Sequence, residues 1–150
     1  MQVADTRPYA GDITRDKEGF AVRVSPTKVI DLFDDDAVET AYFDEIRTLL
    51  TREYGASNVA IFDATRRSDS GKGASNKDGN RGPASRIHVD YTAKSGPQRA
   101  RDVLGAEEFE RLLKSGARIV QVNVWRPIRG PVQRSPLALA DATSVAATDM

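Results

Sequence analysis

Residues 65–85 form a polar stretch that limits how the rest of the chain can fold. The segment TRRSDSGKGASNKDGNRGPAS contains four glycines and almost no apolar residue. A stretch of this kind has no apolar face to bury, so it predicts an irregular loop that is either functional or disordered. We interpret it as a flexible lid, because Gly71-Lys72-Gly73 lacks the residue spacing of a phosphate-binding P-loop.

Helical patterns lie on both sides of this loop. Asp34, followed by two more aspartates, predicts an N-cap and an acidic first turn, and Gly55 predicts the end of the helix. Beyond the loop, two short helices are predicted at 97–104 and 106–114, separated by Gly105. The first helix carries apolar residues at helical spacing, namely Val38, Tyr42, Ile46, Leu49 and Leu50.

Several other segments have the composition or the alternation of β-strands. The clearest is RIVQVNVW, which alternates valines on one face with Gln121, Asn123 and Trp125 on the other. Together with the helices, these segments predict an α+β, mainly β fold. The candidate strands are residues 20–24, 58–63, 86–91, 118–125 and 137–141.

The single histidine lies in one of these candidate strands. His88 and Asp90 are two residues apart and therefore share one strand face, while Ile87 and Val89 are expected to point into apolar packing. An imidazole beside a carboxylate supplies two corners of a mononuclear iron site that a second histidine completes. The alternative is a histidine paired with a neighbouring carboxylate on a half-exposed strand, and the spacing alone does not decide between the two.

Composition excludes several other classes of protein. The chain has no cysteine, which removes disulfides, thiolate zinc sites and cysteine nucleophiles. Its 22 basic and 22 acidic residues cancel, so we expect no nucleic-acid or membrane partner. The motifs of serine hydrolases and zinc peptidases are absent, whereas acid–base catalysis by two carboxylates stays open. With no apolar run of about 20 residues and no secretory signal, a soluble, cytoplasmic protein is expected.

Four blocks of the sequence carry a family resemblance between about Asp31 and Val145. They are KVIDLFDDD, GASNVAIFDATRR, RGPASRIHVDYTAKSGPQRARDVL and VNVWRPIRGPVQRSPLALADATSV. In this order they resemble the non-haem iron oxidoreductases that include gibberellin-desaturase-like and CmcJ-type proteins, many of them from fungal secondary metabolism. The last two blocks are the most specific.

The resemblance implies an Fe(II)- and 2-oxoglutarate-dependent oxygenase that hydroxylates or desaturates a small organic metabolite. The implied fold is a double-stranded β-helix, a jelly-roll of about eight strands. His88 and Asp90 match the first two iron ligands of the family. Asn123, Trp125 and Arg126 match its Asn-x-Trp-Arg-Pro strand, which is expected to line the cofactor or substrate cavity. Core packing for Trp125 and a surface ion pair for Arg126 are the alternatives.

The chain departs from the family pattern at two places. The first departure is minor: the family usually has a histidine where Ala64 stands, so any contact made there is lost. The second concerns the third iron ligand, a histidine that in the family lies well downstream of the Pro-Leu-Ala-Leu block. It has no counterpart here, because His88 is the only histidine. The family's arginine that usually pairs with the far carboxylate of 2-oxoglutarate lies in the same downstream part, and it has no counterpart here either. We therefore expect a partial jelly-roll with an N-terminal helix and two short helices between strands. Its predicted parts are a weakly structured segment at 1–30, an incomplete oxygenase domain at 31–145 with the flexible loop 65–85, and a tail at 146–150.

The missing ligand leaves three interpretations open. The chain is a fragment or truncated member of the oxygenase family, or it is a non-catalytic binding or interaction domain that kept part of the fold and lost the iron. The third interpretation, a site completed by another chain, ranks last because a second copy offers only another His88. Uncovered sheet edges also predict self-association.

Overall fold

The computed structural model describes residues 3–146 and Thr148, and its regular elements are helices. The chain divides into two compact units, one formed by residues 1–26 and 136–150 and the other by residues 27–135. No helix within the described ranges is long and apolar enough to cross a membrane. The elements are a 3-10 turn at Arg7–Tyr9, α1 at Asp35–Ala37, a π-helical turn at Val38–Tyr42, α2 at Phe43–Tyr54, α3 at Ser95–Leu104, α4 at Ala106–Lys114 and a 3-10 turn at Ala142–Ser144.

The helix predicted between Asp34 and Gly55 is confirmed. Asp34 is extended, and its Oδ1 accepts hydrogen bonds from the backbone amides of Asp36 at 2.9 Å and Ala37 at 3.2 Å. Gly55 ends the helix with a φ of 63°, in the left-handed region that favours glycine. The apolar face buries Val38 and Ile46. The periodicity did not predict the π-helical turn at Val38–Tyr42, which interrupts the run between α1 and α2.

The two short helices after the loop are also confirmed, with α3 beginning two residues earlier than predicted. A reciprocal pair of hydrogen bonds precedes α3, since the Thr92 amide donates to Ser95 Oγ at 2.9 Å and the Ser95 amide donates to Thr92 Oγ1 at 3.1 Å. Arg101 of α3 and Glu110 of α4 form an ion pair across Gly105. Helices α3 and α4 are therefore joined by a single glycine and linked by this ion pair.

The predicted jelly-roll is wrong, and so is the mixed α+β class, for the part of the chain that the structure describes. No residue there belongs to a strand, and the only β-pairing is an isolated antiparallel bridge between Ala74 and Arg81. No backbone hydrogen bond joins any two of the five candidate strands. Alternation predicts which side chains share a face, but a strand forms only when a neighbouring strand accepts and donates its hydrogen bonds.

Each of these five segments has at least one exposed large hydrophobic side chain. Ile87 and Val89, which were expected to pack inward, are 75% and 71% exposed. Because the described residues form no sheet, the sheet edges expected to drive self-association are not found among them, and self-association itself stays a prediction. Ten of the sixteen exposed large hydrophobic side chains that are described lie in these segments: Val22, Val24, Phe62, Ile87, Val89, Val120, Val124, Trp125, Leu137 and Leu139.

Polar contacts connect residues within the 65–85 loop. Asn76 bonds the backbone of Arg66 twice, accepting from its amide at 2.7 Å and donating to its carbonyl at 2.9 Å. Ala74 is buried and exchanges two backbone hydrogen bonds with Arg81. Gly73 has a φ of 74°, and a Cβ there would lie 2.9 Å from the Arg81 backbone, so only glycine fits. The flexibility of this loop and its role as a lid stay predictions.

The predicted boundaries at residues 30, 31, 145 and 146 also stay predictions. Residues 1 and 2 of the predicted N-terminal segment lie outside the described residues. So do residues 147, 149 and 150 of the predicted tail.

Glu18 is the main polar anchor of the unit that contains residues 1–26. Its Oε2 accepts hydrogen bonds from the Thr14 amide at 2.7 Å and from Thr14 Oγ1 at 3.3 Å. Its Oε1 lies 3.2 Å from Lys17 Nζ, and its backbone carbonyl accepts from the Ala142 amide at 3.0 Å. The bond from the Thr14 amide, aided by Lys17, holds the pKa of the Glu18 carboxyl below its ordinary value.

We predict that Asp34→Ala lowers the free energy of unfolding by about 0.5–2 kcal/mol, because two helix N-terminal amides lose their acceptor. Asp34→Asn retains a side-chain carbonyl and is the matched control, expected to stay within about 0.5 kcal/mol of the parent. Urea denaturation followed by far-ultraviolet circular dichroism measures both variants. Equal losses in the two would contradict the capping role.

We predict that the stabilising effect of Glu18 depends on pH. A carboxyl with a lowered folded-state pKa stabilises the fold above its unfolded-state pKa, and the effect is lost as the pH falls through the folded-state pKa. The difference in urea midpoint between the parent and Glu18→Gln should therefore be largest near neutral pH and shrink between about pH 5 and pH 3. Asp16→Asn is the control, since the exposed Asp16 carboxylate lies 3.8 Å from Arg15 Nε. A difference that does not change with pH would rule out this role for Glu18.

Candidate functional site

His88 and Asp90 lie in an irregular, exposed segment that precedes α3. The Nδ1 atom of His88 is 2.8 Å from the carbonyl oxygen of Arg86, and because a carbonyl can only accept, Nδ1 carries the proton. The Nε2 atom of the same ring is 3.4 Å from Asp90 Oδ1. In the neutral imidazole, Nε2 is then an acceptor that faces a carboxylate oxygen, which is also an acceptor. A proton on Nε2, which makes the contact an ion pair, or a metal cation between the two atoms would stabilise such an arrangement.

Asn123 joins this pair from a distant part of the chain. Its Nδ2 donates a hydrogen bond to Asp90 Oδ2, across 33 residues of sequence. Gln121, two residues before it, donates from Nε2 to the carbonyl of Gly96 at 3.3 Å. A Cβ at Gly96 would lie only 3.3 Å from Gln121 Oε1, so the two stretches approach closely. The structure thus brings together three of the five predicted site residues, His88, Asp90 and Asn123.

The other two predicted site residues lie elsewhere. Trp125 is 50% exposed. Arg126 donates from Nε to the Tyr42 hydroxyl at 3.1 Å, and its guanidinium carbon lies 5.5 Å from the centroid of the Tyr42 ring. Arg126 also lines a cavity of about 260 Å³ together with residues 27, 29–33 and 127–129, a set that does not include His88 or Asp90. The binding roles of Trp125 and Arg126 stay predictions.

The donor atoms of His88 and Asp90 fit two neighbouring positions around one metal ion. Metal bonds to imidazole nitrogen and carboxylate oxygen measure about 2.0–2.2 Å, which allows two donors of one ion to lie up to about 4.3 Å apart. The 3.4 Å between Nε2 and Oδ1 falls inside this limit. Residues 3–146 and Thr148 contain no group of three or more histidine, cysteine, aspartate or glutamate side chains that could hold a metal ion. Among side chains of these types the described residues bring together only this pair, and its role as metal ligands stays a prediction.

Sequence reasoning missed the burial of Arg66. Arg66 belongs to the polar 65–85 segment, but its side chain is only 9% exposed. Its Nε donates to the Leu32 carbonyl at 2.7 Å and its Nη1 to Asp35 Oδ1 at 2.6 Å. Arg67, next in sequence, is exposed and donates to the Gly82 carbonyl at 3.0 Å. Two adjacent arginines in one polar stretch give the same sequence signal, so no pattern distinguishes the buried one.

Curated fungal proteins are similar to this chain over nearly its whole length. An oxidoreductase of Emericella nidulans, AN1597, is 32% identical over 100% of the chain and 51% of its own length. An Fe(II)/2-oxoglutarate-dependent dioxygenase of Aspergillus novofumigatus, nvfI, is 32% identical over 97% of the chain and 52% of its own length. A hydroxylase/desaturase of Hormonema carpetanum, efuI, is 30% identical over 99% of the chain and 52% of its own length.

The chain spans about half the length of the curated relatives that it matches. No solved structure matches it. A family model described as an oxidoreductase/YMDC permease-like domain matches residues 1–150. The predicted relation to oxidoreductases named as dioxygenases and hydroxylase/desaturases is confirmed, and the chain belongs to the oxidoreductase/YMDC permease-like domain family as a partial family domain.

Proposed function

We propose that the chain is part of an Fe(II)/2-oxoglutarate-dependent oxygenase that hydroxylates or desaturates a small organic molecule, and that His88 and Asp90 are its first two metal ligands. One observation carries the proposal. The Nε2 atom of His88 and the Oδ1 atom of Asp90 lie 3.4 Å apart, and in the neutral imidazole with Nδ1 protonated both atoms are acceptors with no described hydrogen-bond donor. The names of relatives as dioxygenases and hydroxylase/desaturases support the same chemistry.

The surrounding residues orient the two proposed ligands. The Arg86 carbonyl fixes the tautomer of His88 that leaves Nε2 unprotonated, as the partners of metal-binding histidines commonly do. Asn123 contacts the Oδ2 atom of Asp90, so Oδ1 is the oxygen that remains beside His88. Bound iron together with 2-oxoglutarate would supply the oxidising chemistry, while the protein supplies binding and orientation. In this proposal Trp125 and Arg126 bind the cofactor or the substrate.

The reaction is proposed to take place in the cytoplasm. The residues involved lie between 31 and 145, which is the proposed extent of the oxygenase-derived part of the chain. Residues 65–85 are its proposed lid.

A second candidate function is a binding or interaction domain that has lost the metal. One observation favours it: in the described part of the chain, no further histidine, cysteine or acidic side chain joins His88 and Asp90 in a group that could hold a metal. Two protein ligands alone hold a divalent ion weakly. Metal binding therefore separates the two candidates.

We predict that the parent chain binds one Fe(II) with a dissociation constant of about 1 µM or below in the presence of 2-oxoglutarate. His88→Ala and Asp90→Asn should each weaken binding by at least about tenfold, because each removes a proposed ligand. Anaerobic titration calorimetry measures the constants. The matched control is Asp102→Asn, whose carboxylate accepts from Gln98 on α3 at 2.8 Å.

Three results would contradict the oxygenase proposal. If the parent binds no iron, the non-catalytic domain is the better description of the chain. The same holds if His88→Ala binds as tightly as the parent. If Asp102→Asn weakens binding as much as Asp90→Asn, the effect reflects general loss of negative charge.

A further inference from the structure

A cavity of about 280 Å³ is lined jointly by the 65–85 loop, by the stretch that precedes the loop, and by residues of α1, the π-helical turn and α2. It lies within the unit formed by residues 27–135, and neither His88 nor Asp90 lines it. It is therefore separate from the candidate site described above. The lining residues are Asp35, Val38, Glu39, Phe43, residues 61–66 and residues 76–78.

Arg66, one of the lining residues, carries an unsatisfied hydrogen-bond donor. Two nitrogens of its guanidinium have acceptors, since Nε donates to the Leu32 carbonyl at 2.7 Å and Nη1 to Asp35 Oδ1 at 2.6 Å. The third nitrogen, Nη2, is buried and has no hydrogen-bond partner among the described residues. Leaving a buried donor of a charged group unpaired is unfavourable, so folded proteins normally provide an acceptor for it. An oxygen atom of a molecule bound in the cavity would be such an acceptor.

The charges around the cavity favour a neutral acceptor over a carboxylate. Four acidic residues line the cavity, and three of them form ion pairs, with Arg66, Lys77 and Arg81 respectively. The fourth, Asp63, accepts a hydrogen bond from Thr65 Oγ1 at 3.1 Å and has no cationic partner among the described residues. These groups together carry an excess of one negative charge, which repels an anionic ligand. A ketone, ester or amide oxygen accepts a hydrogen bond without that repulsion.

The remaining lining residues provide an apolar surface for the body of a ligand. Five of them are apolar: Val38, Phe43, Ile61, Phe62 and Ala64. Val38 is buried, and the Phe62 side chain is 40% exposed. The cavity is slightly smaller than the roughly 300–1,000 Å³ typical of pockets for drug-sized molecules, so it suits a smaller ligand.

We propose that this cavity binds a small neutral molecule with an apolar body and a carbonyl oxygen, and that this oxygen accepts a hydrogen bond from Arg66 Nη2. The inference goes beyond the proposed function, because it involves neither His88 and Asp90 nor a metal ion. Lys77 of the loop and Glu39 of the π-helical turn both line the cavity and form an ion pair, with side chains 64% and 51% exposed. The ligand enters by separating this pair, because an ion pair between exposed groups contributes little stability.

Three related small molecules test the proposed chemistry. Acetophenone combines one benzene ring with one ketone oxygen, and it should bind the parent chain saturably with a dissociation constant of about 1 mM. Benzoate has a similar size and a negative charge, and it should bind at least about tenfold more weakly. Ethylbenzene keeps the ring and lacks the oxygen, so it should also bind at least about tenfold more weakly. Chemical-shift titration of the ¹⁵N-labelled chain by nuclear magnetic resonance measures all three.

Substitutions locate the bound molecule. Arg66→Met removes the donor, and Ala64→Leu narrows the cavity while retaining Arg66, so each should weaken acetophenone binding by at least about tenfold. The matched control is Arg67→Met, because Arg67 does not line the cavity and donates to the Gly82 carbonyl at 3.0 Å. Its affinity should remain within about twofold of the parent. Circular dichroism checks that each variant is folded, and if Arg66→Met does not fold, Ala64→Leu and the three ligands decide the question.

Every outcome of these titrations either supports the inference or overturns it. Saturable acetophenone binding that is lost in Arg66→Met and Ala64→Leu and retained in Arg67→Met supports it. Equal affinities for ethylbenzene and acetophenone overturn the hydrogen bond from Arg66, and benzoate binding as tight as that of acetophenone overturns the neutral class of ligand. Absence of acetophenone binding to the parent, unchanged binding by Ala64→Leu, or an equal loss in Arg67→Met overturns the site itself. Iron binding by the parent is measured separately, so the proposed function can hold or fail independently.

Discussion

The structure of this chain depends on where backbone hydrogen bonds find their partners. A helix satisfies its backbone groups within four residues, whereas an extended segment must find a partner strand elsewhere in the chain. The helical segments of this chain therefore form as their sequences indicate. The five strand-like segments are irregular and do not pair with one another, and ten exposed large hydrophobic side chains lie in them. The fold that the strand patterns predicted is consequently replaced by helices joined by irregular chain.

Polar contacts between distant residues give the unit formed by residues 27–135 much of its organisation. Arg66 connects the 65–85 loop to Leu32 and Asp35, and Arg126 contacts Tyr42. Ion pairs and hydrogen bonds between exposed groups each contribute only about 1 kcal/mol or less. The buried Arg66 is the exception, since removing a buried charged donor leaves its acceptors without a partner.

Polar contacts also orient the side chains of the candidate site. His88 is 54% exposed and Asp90 is 40% exposed on the side chain, so neither is fixed by packing. Their orientation depends on the Arg86 carbonyl and on Asn123. In the proposed function a bound cation would stabilise this segment, because a ligand that binds only the folded arrangement favours it. Metal binding and local order are then two aspects of one equilibrium, which makes titration a direct probe of the site.

Local signals in the sequence determined the helices and the proposed ligand pair. Asp34, Gly55 and Gly105 specify helix ends through interactions within a few residues, and the spacing of His88 and Asp90 places them side by side even without a strand. The sequence blocks also determined the family. Each of these depends on residues that are close in the chain or on the order of motifs along it.

Only the tertiary structure decided which distant groups meet. Asn123 reaches Asp90 across 33 residues of sequence, and Arg126 reaches Tyr42 across 84. The alternation of the sequence predicted only that Asn123 and Trp125 share a face, and it did not indicate which residues they contact. The buried Arg66 likewise reaches the carbonyl of Leu32, 34 residues away. Whether an alternating segment becomes part of a sheet is decided in the same way, because its hydrogen-bond partners lie outside the segment and its own residues cannot specify them.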